Sequence, residues 1–235
     1  MYKRVLLKLS GEALSNGKDE PFYNEHLDAV ASEIKEAVSL GVQVCVVVGG
    51  GNIYRGKMGE KMGMDRSTGD YMGMLATVMN ALAISNSLNK LNVANVIMTS
   101  IAMQGIGEAF SQAKAIEALN NNKVVIFGAG TGHPYFSTDT GVVLRAVEME
   151  ADVILLAKAI DGVYDSDPKV NPSAKKYDVV SMQEVLDQRL QVIDLTATIM
   201  CLENKMPLLV FGLNEENSIV NTVSGTFNGT KVTVE

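Results

Sequence analysis

The sequence predicts an α/β fold, with a mostly parallel central sheet sandwiched by helices in three α/β/α layers. Three observations lead there. Short apolar runs alternate with helix-length segments almost from end to end. The runs are nearly continuous in Val, Ile and Leu, as in strands covered on both faces. Glycine-bearing loops follow three of them, where an open parallel sheet gathers its ligands.

Arg4–Leu9 opens the chain as a strand and His26–Leu40 follows as a helix. Val42–Val48 is the second strand and leads towards a long helix, Asp70–Leu91. The strand Val93–Thr99, the helix Ser111–Leu119 and the strand Lys123–Phe127 continue the alternation. Then come the helix Thr140–Glu150, the strand Asp152–Leu156, helices at Ser181–Leu186 and Leu195–Asn204, and the strand Leu208–Phe211. Gly229–Glu235 reads as a closing edge strand. Strand–helix–strand repetition makes successive strands parallel, with the helices crossing over the sheet faces. No repeat, low-complexity tract or linker interrupts the pattern, so residues 1–235 read as one domain.

Hydrophobic residues make up 47% of the 235, enough for a full core without disulfide staples. The only cysteines, Cys45 and Cys201, lie far apart and in no metal-ligand spacing. They read as buried thiols in a reducing cytoplasm, and no protein metal site is expected. A net charge of −7 argues against a nucleic-acid surface, which needs a basic stripe. The apolar stretch after Met1 is too short for a signal sequence, and the remaining runs are too short to span a bilayer. An acidic protein can still bind anions through backbone amides and a few placed cations.

The motifs supply such devices. Lys8 and Leu9 close the first strand, followed by Ser10 and Gly11. Lysine at a buried strand end is costly unless an anion meets it, although a snorkelling surface lysine is the other reading. After the second strand, Gly49-Gly50-Gly51-Asn52 removes three successive β-carbons, so an anion can sit on the backbone, and Arg55 adds a fork of donors. Gly51 to Lys57 also spells a P-loop pattern. Met58 replaces its magnesium-binding hydroxyl, and Met58–Gly63 makes a poor helix, so that motif is set aside. With Gly128-Ala129-Gly130-Thr131-Gly132, three such loops share one sheet edge, which favours a phosphate site over plain turns.

Asp70 reads either as the cap of the long helix or as an acceptor for sugar hydroxyls. That helix carries Tyr71, Leu75, Val78 and Leu82 as one stripe, extended by Met72, Ala76, Met79 and Ala83, so it is expected to form a subunit interface as well as cover the sheet. In the loop after Gly130, Thr131, Ser137 and Thr138 offer polar contacts, and Tyr135 and Phe136 offer flat walls for a base. His133 reads as a donor in that loop, because no set of metal ligands accompanies it. Asp139 reads as a functional carboxylate or as another cap. Asp161, Asp165 and Asp167 lack the downstream glutamate of a calcium loop.

These residues together resemble the bacterial uridylate kinase branch of the amino-acid kinase superfamily, over essentially the whole chain. The matching stretches are Lys8–Leu14, Gly49–Gly56, Gly69–Asn80, Gly130–Phe136 and Asp161–Tyr164. The run from Gly69 to Asn80, Gly-Asp-Tyr-Met-Gly-Met-Leu-Ala-Thr-Val-Met-Asn, is peculiar to that branch.

The resemblance implies transfer of the γ-phosphoryl group of ATP to UMP in pyrimidine nucleotide synthesis, with magnesium held through the nucleotide phosphates. It implies an ATP site of Lys8, Leu9, Ser10, Gly11, Gly51 and Arg55, with Tyr164 and Asp167 beside adenosine. It implies a UMP site of Gly50, Asp70, Thr131, Gly132, His133, Pro134, Tyr135, Phe136, Ser137 and Thr138. Asp139 stands at the position of an aspartate that orients the phosphate-binding lysine, so Lys8, Arg55 and Asp139 form the implied catalytic set. A cytoplasmic homohexamer built from dimers is implied too, often activated by GTP and inhibited by UTP.

Three departures stand out. His133 replaces the family's Asn; Ala157-Lys158-Ala159-Ile160-Asp161 lacks the Thr or Asn expected near adenine, so no contact is assigned there. Ser15–Phe22 lacks the Gly-Phe-Gly-rich form tied to GTP activation, and Pro21 stiffens it, so a weak GTP response is expected. A kinase acting on carbamate or an amino-acid carboxylate fits the two aromatics of the Thr131–Thr138 loop poorly, and a non-catalytic nucleotide sensor would not need both Lys8 and Arg55.

Overall fold

Strands that are apolar on both faces must be covered twice, and the chain does so with two helical layers. The computed structural model describes residues 2–15, 20–213 and 215–234, with the side chains at 57, 58 and 60 outside that description. The segment expected to blunt a GTP response falls partly on residues 16–19, outside the described residues.

In chain order the strands are β1 (Arg4–Leu9), β2 (Gln43–Val48), β3 (Asn95–Thr99), β4 (Glu108–Ala109), β5 (Val124–Gly128) and β6 (Val153–Lys158). They continue as β7 (Val163–Tyr164), β8 (Lys176–Tyr177), β9 (Val179–Ser181), β10 (Leu208–Gly212) and β11 (Gly229–Thr233). Nine of them form one sheet in the order β4-β3-β5-β2-β1-β6-β10-β11-β9, while β7 and β8 pair separately. Every neighbouring pair in the large sheet is parallel except β10–β11.

The helices are α1 (Asn24–Ser39), α2 (Gly56–Lys61), α3 (Arg66–Lys90), α4 (Gln112–Asn120), α5 (Thr138–Glu148), α6 (Met182–Asp187), α7 (Leu195–Glu203) and α8 (Ser218–Ser224). The two-residue period of a strand sorts the core. Val5, Leu7 and Leu9 of β1 pack with Ile34 of α1, Ile84 of α3 and Val223 of α8. Leu6, between them, faces the opposite layer with Val142 of α5 and Ala197 of α7. The seven strands and six helices expected from the sequence all form, the first strand with the expected ends and the others with shifted ones.

Other expectations are corrected. β11 is not an edge: β9 pairs beyond it, and three residues are too few to announce a strand by their period. Residues after Gly56 do form a short helix, α2, despite poor local propensity, because it packs against α3. Met58 still supplies no hydroxyl, so the P-loop motif stays rejected. α3 begins at Arg66 with Asp65 as its cap, its carboxylate accepting from the Thr68 amide at 3.0 Å, so Asp70 is not the cap. Likewise Ser137 caps α5, accepting from the Thr140 amide at 3.2 Å, so Asp139 is free of that task. Val78 and Ala76 of the expected interface stripe are buried in the protein's own core.

Cys45 and Cys201 are unpaired and fully buried, and burial pushes each thiol up to about 12. The thiolate is the reactive form. A thiol reagent at about pH 8 is therefore expected to label neither residue in the native protein and both after denaturation. Rapid native labelling, read by mass spectrometry, would contradict this packing.

Candidate functional site: a half-buried cation pair beside a cavity

The register of the sheet decides which side chains share a place. Lys8 follows Leu6 by one strand period and faces the α5 layer. Lys158 follows Ile154 and Leu156 of the neighbouring strand in the same way. Two lysines thus end on one face at the carboxyl edge of adjacent strands. Asp139, in the first turn of α5, meets Lys8 with Oδ1 3.3 Å from Nζ. The Lys158 ammonium donates to the carbonyl of Val192. Burial holds it below the ordinary lysine value of 10.5, Asp139 pulls it back up, and Lys8 adds to the lowering. Two cations around one carboxylate leave a local excess of positive charge in a protein of net charge −7. Such a site asks for an anion.

Lys158 is the residue missed in the sequence. Its signal is a lysine closing an apolar run, Val-Ile-Leu-Leu-Ala-Lys, much as Lys8 follows Val-Leu-Leu one residue before the end of β1.

The glycine loops are bound to each other and to α3. A β-carbon on Gly11 would lie 2.8 Å from the Gly51 amide nitrogen, and one on Gly49 3.1 Å from the Gly11 nitrogen, so these loops touch backbone to backbone. A β-carbon on Gly50 would meet Ala76 Cβ and the Gly73 carbonyl, each at 2.9 Å. One on Gly51 would meet nothing, because Gly51 faces a cavity of about 200 Å³. Buried polar residues of α3 complete the attachment. Asn80 Nδ2 donates to the Gly49 carbonyl at 2.5 Å, and Thr77 Oγ1 accepts from the Ala129 amide at 2.9 Å.

Gly50, Gly51, Asp70, Thr131, Phe136, Ser137 and Thr138 line that small cavity, with Tyr54, Met74 and Thr77. The remaining loop residues stand around it. Tyr135 is exposed, with φ +72°, and its amide donates to Asp70 Oδ2 at 2.7 Å. Asp70 also accepts from Arg66 Nε at 3.0 and 2.9 Å, and the Arg66 guanidinium carbon sits 5.5 Å from the Tyr135 ring centroid. His133 is exposed and Pro134 half-buried; the His133 amide donates to Thr131 Oγ1 at 3.2 Å. Gly132 packs against Ser100. A further residue missed in the sequence, Asp194, caps α7 and reaches back to Ser137 and to Thr140 Oγ1.

A larger cavity of about 840 Å³ is lined by Asp139, Lys158 and residues of the segment from Val185 to Thr198. A third, of about 370 Å³, holds Tyr164 and Asp167 and shares Arg189, Leu190 and Gln191 with it. The Tyr164 hydroxyl donates to Asp161 at 2.7 Å, which raises its pKa, and Lys176 beside Asp161 holds that carboxyl below the carboxylate range. Leu9 is fully buried, so only its backbone can meet a ligand. Ser10 caps the short 3-10 turn Gly11–Leu14, accepting from the Ala13 amide at 3.2 Å. Arg55 is exposed; its Nε donates to the Gly51 carbonyl at 3.1 Å and its fork pairs with Glu12. Among the described residues no three His, Cys, Asp or Glu side chains gather to hold a metal, and no helix is long and apolar enough to cross a membrane.

A parallel sheet with glycine loops, helix N-termini and a half-buried cation pair at one edge defines an α/β protein suited to holding phosphates. More particularly, the chain belongs to the amino acid kinase family, whose model matches residues 3–212. Among solved structures it is similar to the UMP kinase of Bacillus anthracis, at 39% identity and a TM-score of 0.97, over 100% of this chain and 97% of that one. It is similar to the UMP kinase of Ureaplasma parvum, at 38% identity and a TM-score of 0.95, over 99% of each chain. The uridylate kinase of Archaeoglobus fulgidus matches at 31% identity and a TM-score of 0.74, over 97% of this chain and 99% of that one.

The lowered pKa of Lys158 makes a signed prediction. An anion beside it restores the charged form, so binding takes up protons where free Lys158 is partly neutral, below the ordinary 10.5. Calorimetry with tripolyphosphate over a pH series running up to the ordinary lysine value, in buffers of different ionisation enthalpy, should show proton uptake that Lys158→Met reduces. Equal uptake in the variant would mean that Lys158 does not face the anion.

Proposed function

We propose that this chain transfers the γ-phosphoryl group of ATP to UMP, giving ADP and UDP, in pyrimidine nucleotide synthesis. The observation that carries the reading is the Lys8–Asp139–Lys158 cluster: Asp139 and Lys158 line the larger cavity, and Ser137 and Thr138, next along the chain from Asp139, line the small glycine-lined one. UMP takes the small cavity: its phosphate lies on the Gly50 and Gly51 amides, its ribose hydroxyls on Asp70, and its base against Phe136 in the Thr131–Thr138 loop. ATP takes the other side, with its phosphates on Lys8, Ser10, Gly11 and Arg55 and its adenosine towards Tyr164 and Asp167.

A phosphate oxygen of UMP attacks the γ-phosphorus in line, and the bond to the β–γ bridging oxygen breaks, leaving ADP. A phosphate is already a competent nucleophile, so positioning and charge neutralisation supply the acceleration without a general base. Lys8 and Lys158 meet the transferring group, and Asp139 fixes the Lys8 ammonium. Arg55 leaves Glu12 for the phosphates. A magnesium ion fits as a passenger of the triphosphate, since Asp139 is already engaged by Lys8 and no acidic cage stands among the described residues; it neutralises phosphate charge when bound.

Two unpaired, buried thiols support a cytoplasmic setting. The outer face of α3 supports self-association, with a homohexamer built from dimers as the proposed assembly. Tyr71, Leu75, Met79 and Leu82 are 43%, 50%, 48% and 42% exposed along one line of that helix. A contiguous apolar stripe of this kind marks an interface.

A coupled ADP-release assay tests the activity. Rapid release with ATP and UMP, little with CMP and none without acceptor is expected, and absence of UMP-dependent release would refute the reading. Lys8→Ala should lower kcat by about a hundredfold or more, with a smaller change in the KM for UMP. Near-native kcat would remove Lys8 from the mechanism.

For the assembly, light scattering behind a sizing column should give a mass above the monomer at micromolar protein. Met79→Glu, which places a charge in the stripe, should shift the protein towards monomer. A monomeric wild type would overturn the interface.

A further inference from the structure

Arg145 lies in α5, outside the cluster just described, and its side chain is only 6% exposed. Burying a guanidinium is costly, and an apolar residue of similar volume often serves a core as well or better. Its surroundings show what the charge does. The guanidinium carbon stacks 3.7 Å from the centroid of Phe110, which packs edge-on against Phe127, and one nitrogen pairs with Glu148. The other terminal nitrogen, Nη2, donates to Ser100 Oγ at 2.8 Å. That hydroxyl donates onward to the Gly130 carbonyl at 2.6 Å.

Gly130 and Thr131 line the small cavity, and the peptides around them are unusual. Ala129, Gly130 and Gly132 have φ of +63°, +53° and +80°. Ala129 occupies a left-handed conformation that L-residues adopt reluctantly. The loop is therefore held by outside contacts more than by its own preference. Thr77 Oγ1 holds the Ala129 amide from the α3 side at 2.9 Å. From the opposite side Ser100 takes the Gly130 carbonyl, and a β-carbon on Gly132 would approach Ser100 Cβ to 3.1 Å. The two buried side-chain polar atoms without partners among the described residues are Arg145 Nε and Thr99 Oγ1. Thr99 is the chain neighbour of Ser100, so unsatisfied polarity is tolerated beneath this loop.

We propose that Arg145 and Ser100 form a buried clamp on the Gly130 peptide, making Arg145 a positioning residue that presets the acceptor loop for its nucleotide. For that nucleotide the inference rests on the UMP reading above; the clamp itself does not. A hydroxyl that accepts from a cation donates more strongly, so the guanidinium acts on the loop through Ser100. Ser100→Ala breaks the relay while leaving the cation and its aromatic platform in place.

In nucleotide-free Ser100→Ala, amide exchange across residues 128–138 should rise about tenfold, with that of β1 and β6 unchanged. The KM for UMP should rise about three- to tenfold, the scale of one lost hydrogen bond, with kcat and the KM for ATP within about twofold of wild type. Arg145→Met should give the same pattern and add little when combined with Ser100→Ala. If Arg145→Met does not fold, Ser100→Ala decides alone. Unchanged loop exchange, or raised exchange with an unchanged KM for UMP, overturns the clamp. A wild type that does not phosphorylate UMP refutes the substrate reading instead, and the exchange data still judge the clamp.

Discussion

Two lysines sharing one carboxylate at the edge of a parallel sheet set the terms for the rest of the molecule. Lys8 and Lys158 sit on adjacent strands, on one face, with Asp139 between the sheet and α5. Like charges in a poorly solvated place repel, and one carboxylate cannot balance both. The arrangement persists because the surrounding apolar layers over-determine the strands that carry it. Burial first, and the Lys8 charge after it, lowers the pKa of Lys158, and that cost to the free protein is the counterpart of the pair's attraction for a highly charged phosphate chain.

α3 links that charge to substrate geometry. It is amphipathic in an unusual sense: its inner face carries Thr77 and Asn80 among core residues, and its outer face carries exposed Tyr71, Leu75 and Met79. The inner polar groups bind the two glycine loops, at Ala129 and at Gly49. A buried hydroxyl or amide must find partners, and here the partners are backbone groups of the loops. A helix so attached ties any association through its outer face to the loops on its inner one.

Loop conformation is the third constraint on the site. Ala129 and Tyr135 lie at positive φ without being glycine. Each is held through its amide, the first by Thr77 and the second by Asp70. Asp70 is thereby positioned at the cavity wall by Arg66 and by the loop, and of its two sequence readings, helix cap or sugar-hydroxyl acceptor, the cap is excluded. Asp65 one turn earlier caps the helix, with the same side-chain chemistry and closer to the true start.

The sequence by itself determined the fold class, the six principal strands and six principal helices, and the glycine loops, and it singled out Lys8, Asp70 and Asp139 as candidates with two readings each. Those features are written in local signals: the period of apolar residues, glycine where β-carbons do not fit, and motif runs such as Gly69–Asn80. What the tertiary structure decided depends on register and packing between distant segments. Only the pairing of β1 with β6 brings Lys158 beside Lys8. Only the packing of α5 on the sheet gives Asp139 its lysine, and only the approach of Ser100 to Gly130 reveals a purpose for Arg145. The short strand β9 and the short helix α2 are likewise made by their neighbours. Local sequence fixes which face a side chain takes along its own strand or helix. Which charges then meet is a sum over contacts between segments more than a hundred residues apart, and no window of sequence contains it.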